Sequence, residues 1–208
     1  MIHEIFPVGP LQCNCSVIGD ETTHESIVID PGADIARVLD TVQRHGLKVT
    51  QILITHGHID HVQDVAKIKH RFDCPIGCHA ETAPMISDRE FFRRFGFELE
   101  IEPIQPDFLI SETPERDFLA LKMQVLEVPG HCPGSLCFFS RENELLIGGD
   151  VLFAGGVGRW DLPGGDGELL FAGIKQKLFP LGDNVTVLPG HGPPTKIGTE
   201  RRTNPFLQ

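Results

Sequence analysis

The chain contains no tyrosine and a single tryptophan, Trp160, so aromatic contact with a ligand must come from that residue, phenylalanine or histidine. Long apolar runs are also missing. No stretch approaches the ~20 residues that span a bilayer. The opening Met1-Ile2-His3-Glu4-Ile5-Phe6-Pro7 has neither a basic segment nor a long apolar one, and predicts no secretory leader. The six cysteines fall as Cys13/Cys15, Cys74/Cys78 and Cys132/Cys137, never as Cys-x-x-Cys. That excludes a zinc ribbon or a thioredoxin-like pair and leaves free thiols in a reducing cytoplasm as the expectation. Basic residues are scarce: 18 Lys and Arg face 29 Asp and Glu, for a formal charge of −11. A nucleic-acid or anionic-membrane surface would need the opposite balance. The expectation is therefore a cytoplasmic monomer or small homo-oligomer, with no nucleic-acid or membrane partner.

Glycine (22) and proline (16) are plentiful, and fit many short strands joined by tight turns. Strands are predicted near Ile2–Val8, Ser16–Ile18, Ser26–Asp30, Val49–Thr55, Pro75–Cys78, Phe118–Val128, Ser135–Ser140, Glu144–Ile147 and Val185–Leu188. Apolar residues at Ile35, Val38, Leu39 and Val42 have helical spacing, and Gly46 stands where a helix would stop. Further helices are predicted over about Val62–Phe72 and Glu168–Leu178. The phenylalanine-rich stretch Ala80–Phe97 reads as irregular. With 208 residues, room exists for one substantial domain over 1–208, of α/β class.

Four apolar strands each run into a candidate metal ligand. Ile52-Leu53-Ile54-Thr55 leads to His56, Val128-Pro129-Gly130 to His131, Ile147-Gly148-Gly149 to Asp150, and Leu188-Pro189-Gly190 to His191. A buried strand is a rigid mount, and a glycine-containing turn redirects the chain sharply at its end. The loop His56-Gly57-His58-Ile59-Asp60-His61 packs four donors, His56 included, into six residues. Imidazole and carboxylate are ligands that zinc and similar divalent ions accept. Four groups so close strain to serve one ion tetrahedrally. Sharing them between two is easier: His56 and His58 with His131 on one, Asp60 and His61 with His191 on the other, and Asp150 bridging. The isolated His3, His24, His45, His70 and His79 read as structural or exposed.

This run of residues resembles the signature of the metallo-β-lactamase superfamily, Thr-His-x-His-x-Asp-His. The likeness extends over Asp30-Pro31-Gly32, Thr55–His61, Gly130–Ser135, Gly148–Asp150, Gly155–Arg159 and Pro189–Gly192. Within it, Gly155-Gly156-Val157-Gly158-Arg159 and the closing Asn204-Pro205-Phe206-Leu207 are similar to the short glyoxalase II-like, or hydroxyacylglutathione hydrolase-like, enzymes. The resemblance implies an αββα four-layer sandwich, two divalent ions held as above, and a role for Asp30 behind the ligands. Only seventeen residues follow His191, so the helical glutathione-binding segment of glyoxalase II is not matched. Where that enzyme places tyrosines, this chain has Asp161 and Pro193, leaving Arg159 to grip a substrate carboxylate.

Two ions can lower the pKa of a shared water towards about 7 and so supply a bridging hydroxide as nucleophile. Asp60 would aim it. A thiolate, with a reference pKa of about 8.5, leaves without a strong general acid. The expected substrate is therefore a small acyl-thioester such as S-lactoylglutathione. Zinc is the first expectation for the metal, with iron or manganese also suited to the donors. The alternatives on this scaffold are a mononuclear iron persulfide dioxygenase using His56, His131 and Asp150, or a lactonase. A nuclease is disfavoured by the charge, and a non-enzymatic metal binder by the full ligand set. Cys132 reads as a packing residue, and Gly155-x-x-Gly158 lacks the rest of a phosphate-loop motif.

Overall fold

Alternating and continuous apolar runs pair into two sheets in the computed structural model, which describes residues 1–91, 93–95, 101–118 and 121–208. The chain divides into two compact units, Met1–Ile110 and Ser111–Gln208. In the first unit, β1 (Ile2–Val8), β2 (Cys13–Gly19), β3 (Glu25–Ile29), β4 (Lys48–Leu53), β5 (Ile76–Cys78) and β6 (Phe108–Leu109) lie side by side in chain order. The first three are antiparallel, and β3 to β6 are parallel. Parallel neighbours need crossovers. These are α1 (Ile35–Arg44), then α2 (Ile59–Val62) with α3 (Val65–Phe72), then α4 (Ala83–Ser87). The crossovers return the chain so that β3 and β4 end on the same edge. Asp30 follows one and Thr55-His56 the other.

The helix predicted from the spacing of Ile35, Val38, Leu39 and Val42 forms as α1, and Gly46 adopts the left-handed stop. The helix predicted over Val62–Phe72 is interrupted at Asp64, a buried carboxylate that accepts the Ile35 N–H at 3.0 Å. Asp60 and His61 consequently sit on the short helix α2 rather than in a loop. The stretch read as irregular contains α4 and a 3₁₀ turn at Arg93–Phe95. Phe91 packs partly buried against the core, while Phe92 and Phe97 lie outside the described residues.

In the second unit the sheet order is β14-β13-β10-β9-β8-β7. The strand predicted over Phe118–Val128 forms as β8 (Leu121–Glu127), and a strand that was not predicted, β7 (Thr113–Phe118), pairs antiparallel with it, Phe118 opposite Leu121. Charged β7 carried no apolar signal, because it is an exposed edge. Strands β9 (Leu136–Ser140) and β10 (Leu145–Gly149) continue the meander, and a small hairpin follows, β11 (Leu152–Phe153) with β12 (Gly156–Val157). Helix α5 (Gly167–Gly173) is capped by the Asp166 carboxylate, which accepts the Leu169 N–H, and widens into a π turn over Ile174–Leu178. Then β13 (Thr186–Pro189) runs parallel to β10, β14 (Thr195–Lys196) closes the edge, and α6 (Ile197–Thr203) ends the fold. Because β8, β10 and β13 point the same way, His131, Asp150 and His191 leave the sheet at one edge. Each unit has its own buried apolar core, around Val28, Ile52 and Ile76 in the first and Val128, Leu146 and Val187 in the second. Among the described residues no helix is long and apolar enough to cross a membrane.

Candidate metal centre

In the first unit, parallel pairing of β3 with β4 sets Asp30 against Thr55. The Asp30 carboxylate accepts the Thr55 N–H at 2.8 Å and the Thr55 hydroxyl at 2.6 Å. It also accepts His61 Nδ1–H at 2.9 Å. Asp30 holds a left-handed backbone (φ 52°) and is 2% exposed. Such a conformation persists in a non-glycine residue when its surroundings over-determine it, and the three donors do so. Two residues on, a Cβ on Gly32 would lie 1.5 Å from the Asp60 carbonyl oxygen, so only glycine lets this turn pass beneath the ligand loop.

The consequence is a set of fixed imidazoles. With the Thr55 hydroxyl proton committed to Asp30, its oxygen accepts from His56 Nδ1, 3.1 Å away, and Nε2 keeps a lone pair. His56 Nε2 faces His58 Nδ1 at 3.1 Å. His61 is turned by Asp30 so that its Nε2 faces Asp60 Oδ2 at 3.8 Å. Cys13 Sγ packs 3.4 Å from His61 Nδ1, and burial pushes its pKa up to about 11, so the thiol stays protonated beside the site. All four predicted donors of this loop are gathered in one cluster, with His56 and His61 fully buried.

In the second unit the cluster centres on Asp150. Its Oδ2 stands 3.5 Å from His131 Nε2 and 3.5 Å from His191 Nε2. His131 is oriented from behind by a backbone group: its Nδ1–H donates to the Arg159 carbonyl at 2.7 Å. The intervening Gly158 is pinned against the same ligands, since a Cβ there would lie 1.9 Å from the Asp150 carbonyl oxygen and 3.0 Å from His131 Cβ. The Arg159 side chain does something else. Its guanidinium makes a two-pronged pair with Asp161, at 2.8 and 2.9 Å, on the exposed surface. That pair lowers the Asp161 pKa to about 2.

These donor separations are those that a small divalent cation would accept. Two ligands about 2.05 Å from one tetrahedral ion are separated by about 3.3 Å. The pairs here span 3.1 to 3.8 Å, and in each unit hydrogen bonding from behind leaves an imidazole nitrogen as acceptor rather than donor. Residue type marks the seven candidate donors, and the family resemblance marks Asp30 behind them. The supporting parts of Thr55 and of the Arg159 carbonyl carry no such signal.

Comparison with known proteins adds to this picture. The family model described as "Metallo-beta-lactamase superfamily" matches residues 8–191. The chain is 38% identical to a protein of Haemophilus influenzae named hydroxyacylglutathione hydrolase GloC, covering 98% of this chain and 97% of that one. The crystal structure of BLEG-1 B3 metallo-beta-lactamase superposes with a TM-score of 0.92 at 33% identity, over 99% of both chains. TTHA1623, crystallised in a di-iron-bound form, gives 0.83 at 39% identity, over 97% of this chain and 98% of that one.

Proposed function

Because the chain belongs to the metallo-beta-lactamase superfamily and has its fold, we propose that residues 1–208 act as one metal-dependent hydrolase that cleaves a small acyl-thioester such as S-lactoylglutathione. His56, His58 and His131 hold one divalent ion, Asp60, His61 and His191 the other, and Asp150 serves both. The observation that carries the reading is the spacing around Asp150 Oδ2, equidistant from imidazole nitrogens on two separate strand ends. Zinc is the proposed metal. The di-iron form of a 39% identical protein makes iron the second candidate.

When bound, the ions supply Lewis-acid polarisation of the carbonyl and bring the pKa of a water towards about 7. Asp60 accepts a hydrogen bond from the attacking water and aims it. Asp30, through His61, and the Arg159 carbonyl, through His131, keep those imidazoles in the tautomer that leaves Nε2 open. The departing thiolate, with a pKa of about 8.5, needs no proton from the protein. An amide nitrogen would, which favours a thioester over a peptide or β-lactam. The name of the Haemophilus influenzae relative supports the same substrate class. Arg159 is the proposed grip for a substrate carboxylate, once its pair with Asp161 opens. Six buried free thiols fit a reducing compartment, and we place the enzyme in the cytoplasm.

The test is a hydrolysis screen of the metal-loaded protein against S-lactoylglutathione, other acyl-thioesters, lactones and a β-lactam, with oxygen uptake on glutathione persulfide measured alongside. Thioester turnover that disappears in His58→Ala is the expected result. No thioester turnover, or one iron per chain with oxygen uptake, would overturn the proposal.

A further inference from the structure

We infer that Glu200 and Asn204, at the C-terminal end of the chain, are positioning residues that aim His131 through the Arg159 carbonyl. The inference rests on the reading of His131 as a metal ligand. Glu200 lies on α6 and is 1% exposed, and Asn204, at the end of that helix, is fully buried. Glu200 Oε2 accepts the Gly155 N–H at 2.9 Å and Asn204 Nδ2–H at 2.8 Å, and Oε1 accepts the Thr195 hydroxyl. Asn204 Nδ2 also donates to the Gly156 carbonyl at 2.9 Å. Two buried side chains thus clamp two backbone groups of the β11–β12 hairpin, the Gly155 N–H and the Gly156 carbonyl.

That hairpin is the segment between Asp150 and Arg159. It leaves the sheet directly after Asp150 and returns through Gly158, which touches the Asp150 backbone, to the carbonyl that accepts His131 Nδ1–H. Ile197 and Leu207, both buried, already seat the C-terminal segment on the apolar core. Docking that segment needs no charge, and a buried carboxylate carries a large desolvation penalty unless its oxygens are met by donors. Here three donors meet it, and one is the amide of the loop that sets a ligand's acceptor. The arrangement fixes the height and direction of the Arg159 carbonyl, and with it the tautomer and tilt of the His131 ring.

The design of the oxygens supplies a conservative variant. Glu200→Gln can keep its oxygen towards Gly155 and Asn204 while its amide donates to the Thr195 hydroxyl oxygen. Glu200→Ala removes all three contacts. Asn204→Ala removes the tie to Gly156 while leaving Glu200 its bonds to Gly155 and Thr195, and it carries the test if Glu200→Ala does not fold. The experiment uses the full-length protein and two readouts besides turnover: equilibrium zinc affinity, and exchange of the His131 Nδ1 proton by NMR of ¹⁵N-histidine-labelled, zinc-loaded protein. The alanine variants are expected to weaken zinc binding by about 10- to 100-fold and to speed exchange of that proton. Glu200→Gln should stay near the wild type in both. Alanine variants that only melt earlier, with wild-type zinc affinity and proton exchange, would overturn the inference. A wild-type protein that binds zinc but hydrolyses no thioester would sink the proposed function, and these two readouts would still judge the positioning role of Glu200 and Asn204.

Discussion

The two ligand clusters are built by opposite means. In the first unit the donors lie within six residues, and the group that orients His61 directly, and His56 through Thr55, is a buried side chain, Asp30, reached through parallel pairing of β3 and β4. In the second unit the donors come from three separate strand ends, and the group that orients His131 is a backbone carbonyl on a loop. A side-chain support can be removed by one substitution. A backbone support can be disturbed only through whatever holds its loop. The first cluster is therefore the more fragile to direct mutation, and the second the more dependent on distant residues.

The largest effect that would sharpen this contrast is expected at Gly32. A methyl group there collides with the Asp60 carbonyl, and Gly32→Ala should cost about 3 kcal/mol or more, above the common range for overpacking. Thermal melting of the metal-free protein reads this out. Next comes a matched pair. Asp30→Asn should weaken metal binding or activity by about 10- to 100-fold, because the amide is a poorer acceptor for His61 Nδ1–H and cannot also satisfy both Thr55 donors. Arg159→Ala keeps its carbonyl and should leave metal affinity unchanged while raising KM. If the Arg159 variant loses metal and the Asp30 variant does not, the contrast is broken.

A smaller effect is expected at Asp161. Its carboxylate occupies the Arg159 guanidinium, so Asp161→Asn should lower KM for a carboxylate-bearing thioester several-fold with kcat unchanged, and steady-state kinetics would show it. The smallest effect is expected at Glu4. Arg44, and then His45, pull the Glu4 pKa down to about 2. A depressed carboxylate pKa stabilises the fold above its unfolded value of 4.5, and that contribution fades as pH falls towards 2. Glu4 is partly exposed, so screening keeps the gain below about 1 kcal/mol. Melting temperatures of the wild type and Glu4→Gln should differ slightly at pH 7 and converge as the pH is lowered below 4.5.

Much of this centre was legible in the amino-acid order because metal chemistry is written in side-chain type. His56 to His61 announce themselves by crowding, and His131, Asp150 and His191 by the turn glycines that precede them. Buried strands were legible for a similar reason, since Ile52, Leu53 and Ile54 have no polar alternative. What was hidden depends on geometry rather than type. The β7 edge carries charges because one face meets water, and the helix break at Asp64 falls where its carboxylate accepts the N–H of Ile35, a residue distant in sequence. The Arg159 carbonyl has the same chemistry as any other carbonyl. Glu200 reads as an ordinary polar residue, and Asn204 only as part of a closing motif, until their burial and their partners on Gly155 and Gly156 are seen.

The account stands most directly on the number of ions held per chain, counted by native mass spectrometry after equilibration with zinc. It predicts two for the wild-type protein, and one for His58→Ala and for His191→Ala, each variant losing a different ion. A wild type that saturates at a single ion, or variants that still hold both, would contradict it.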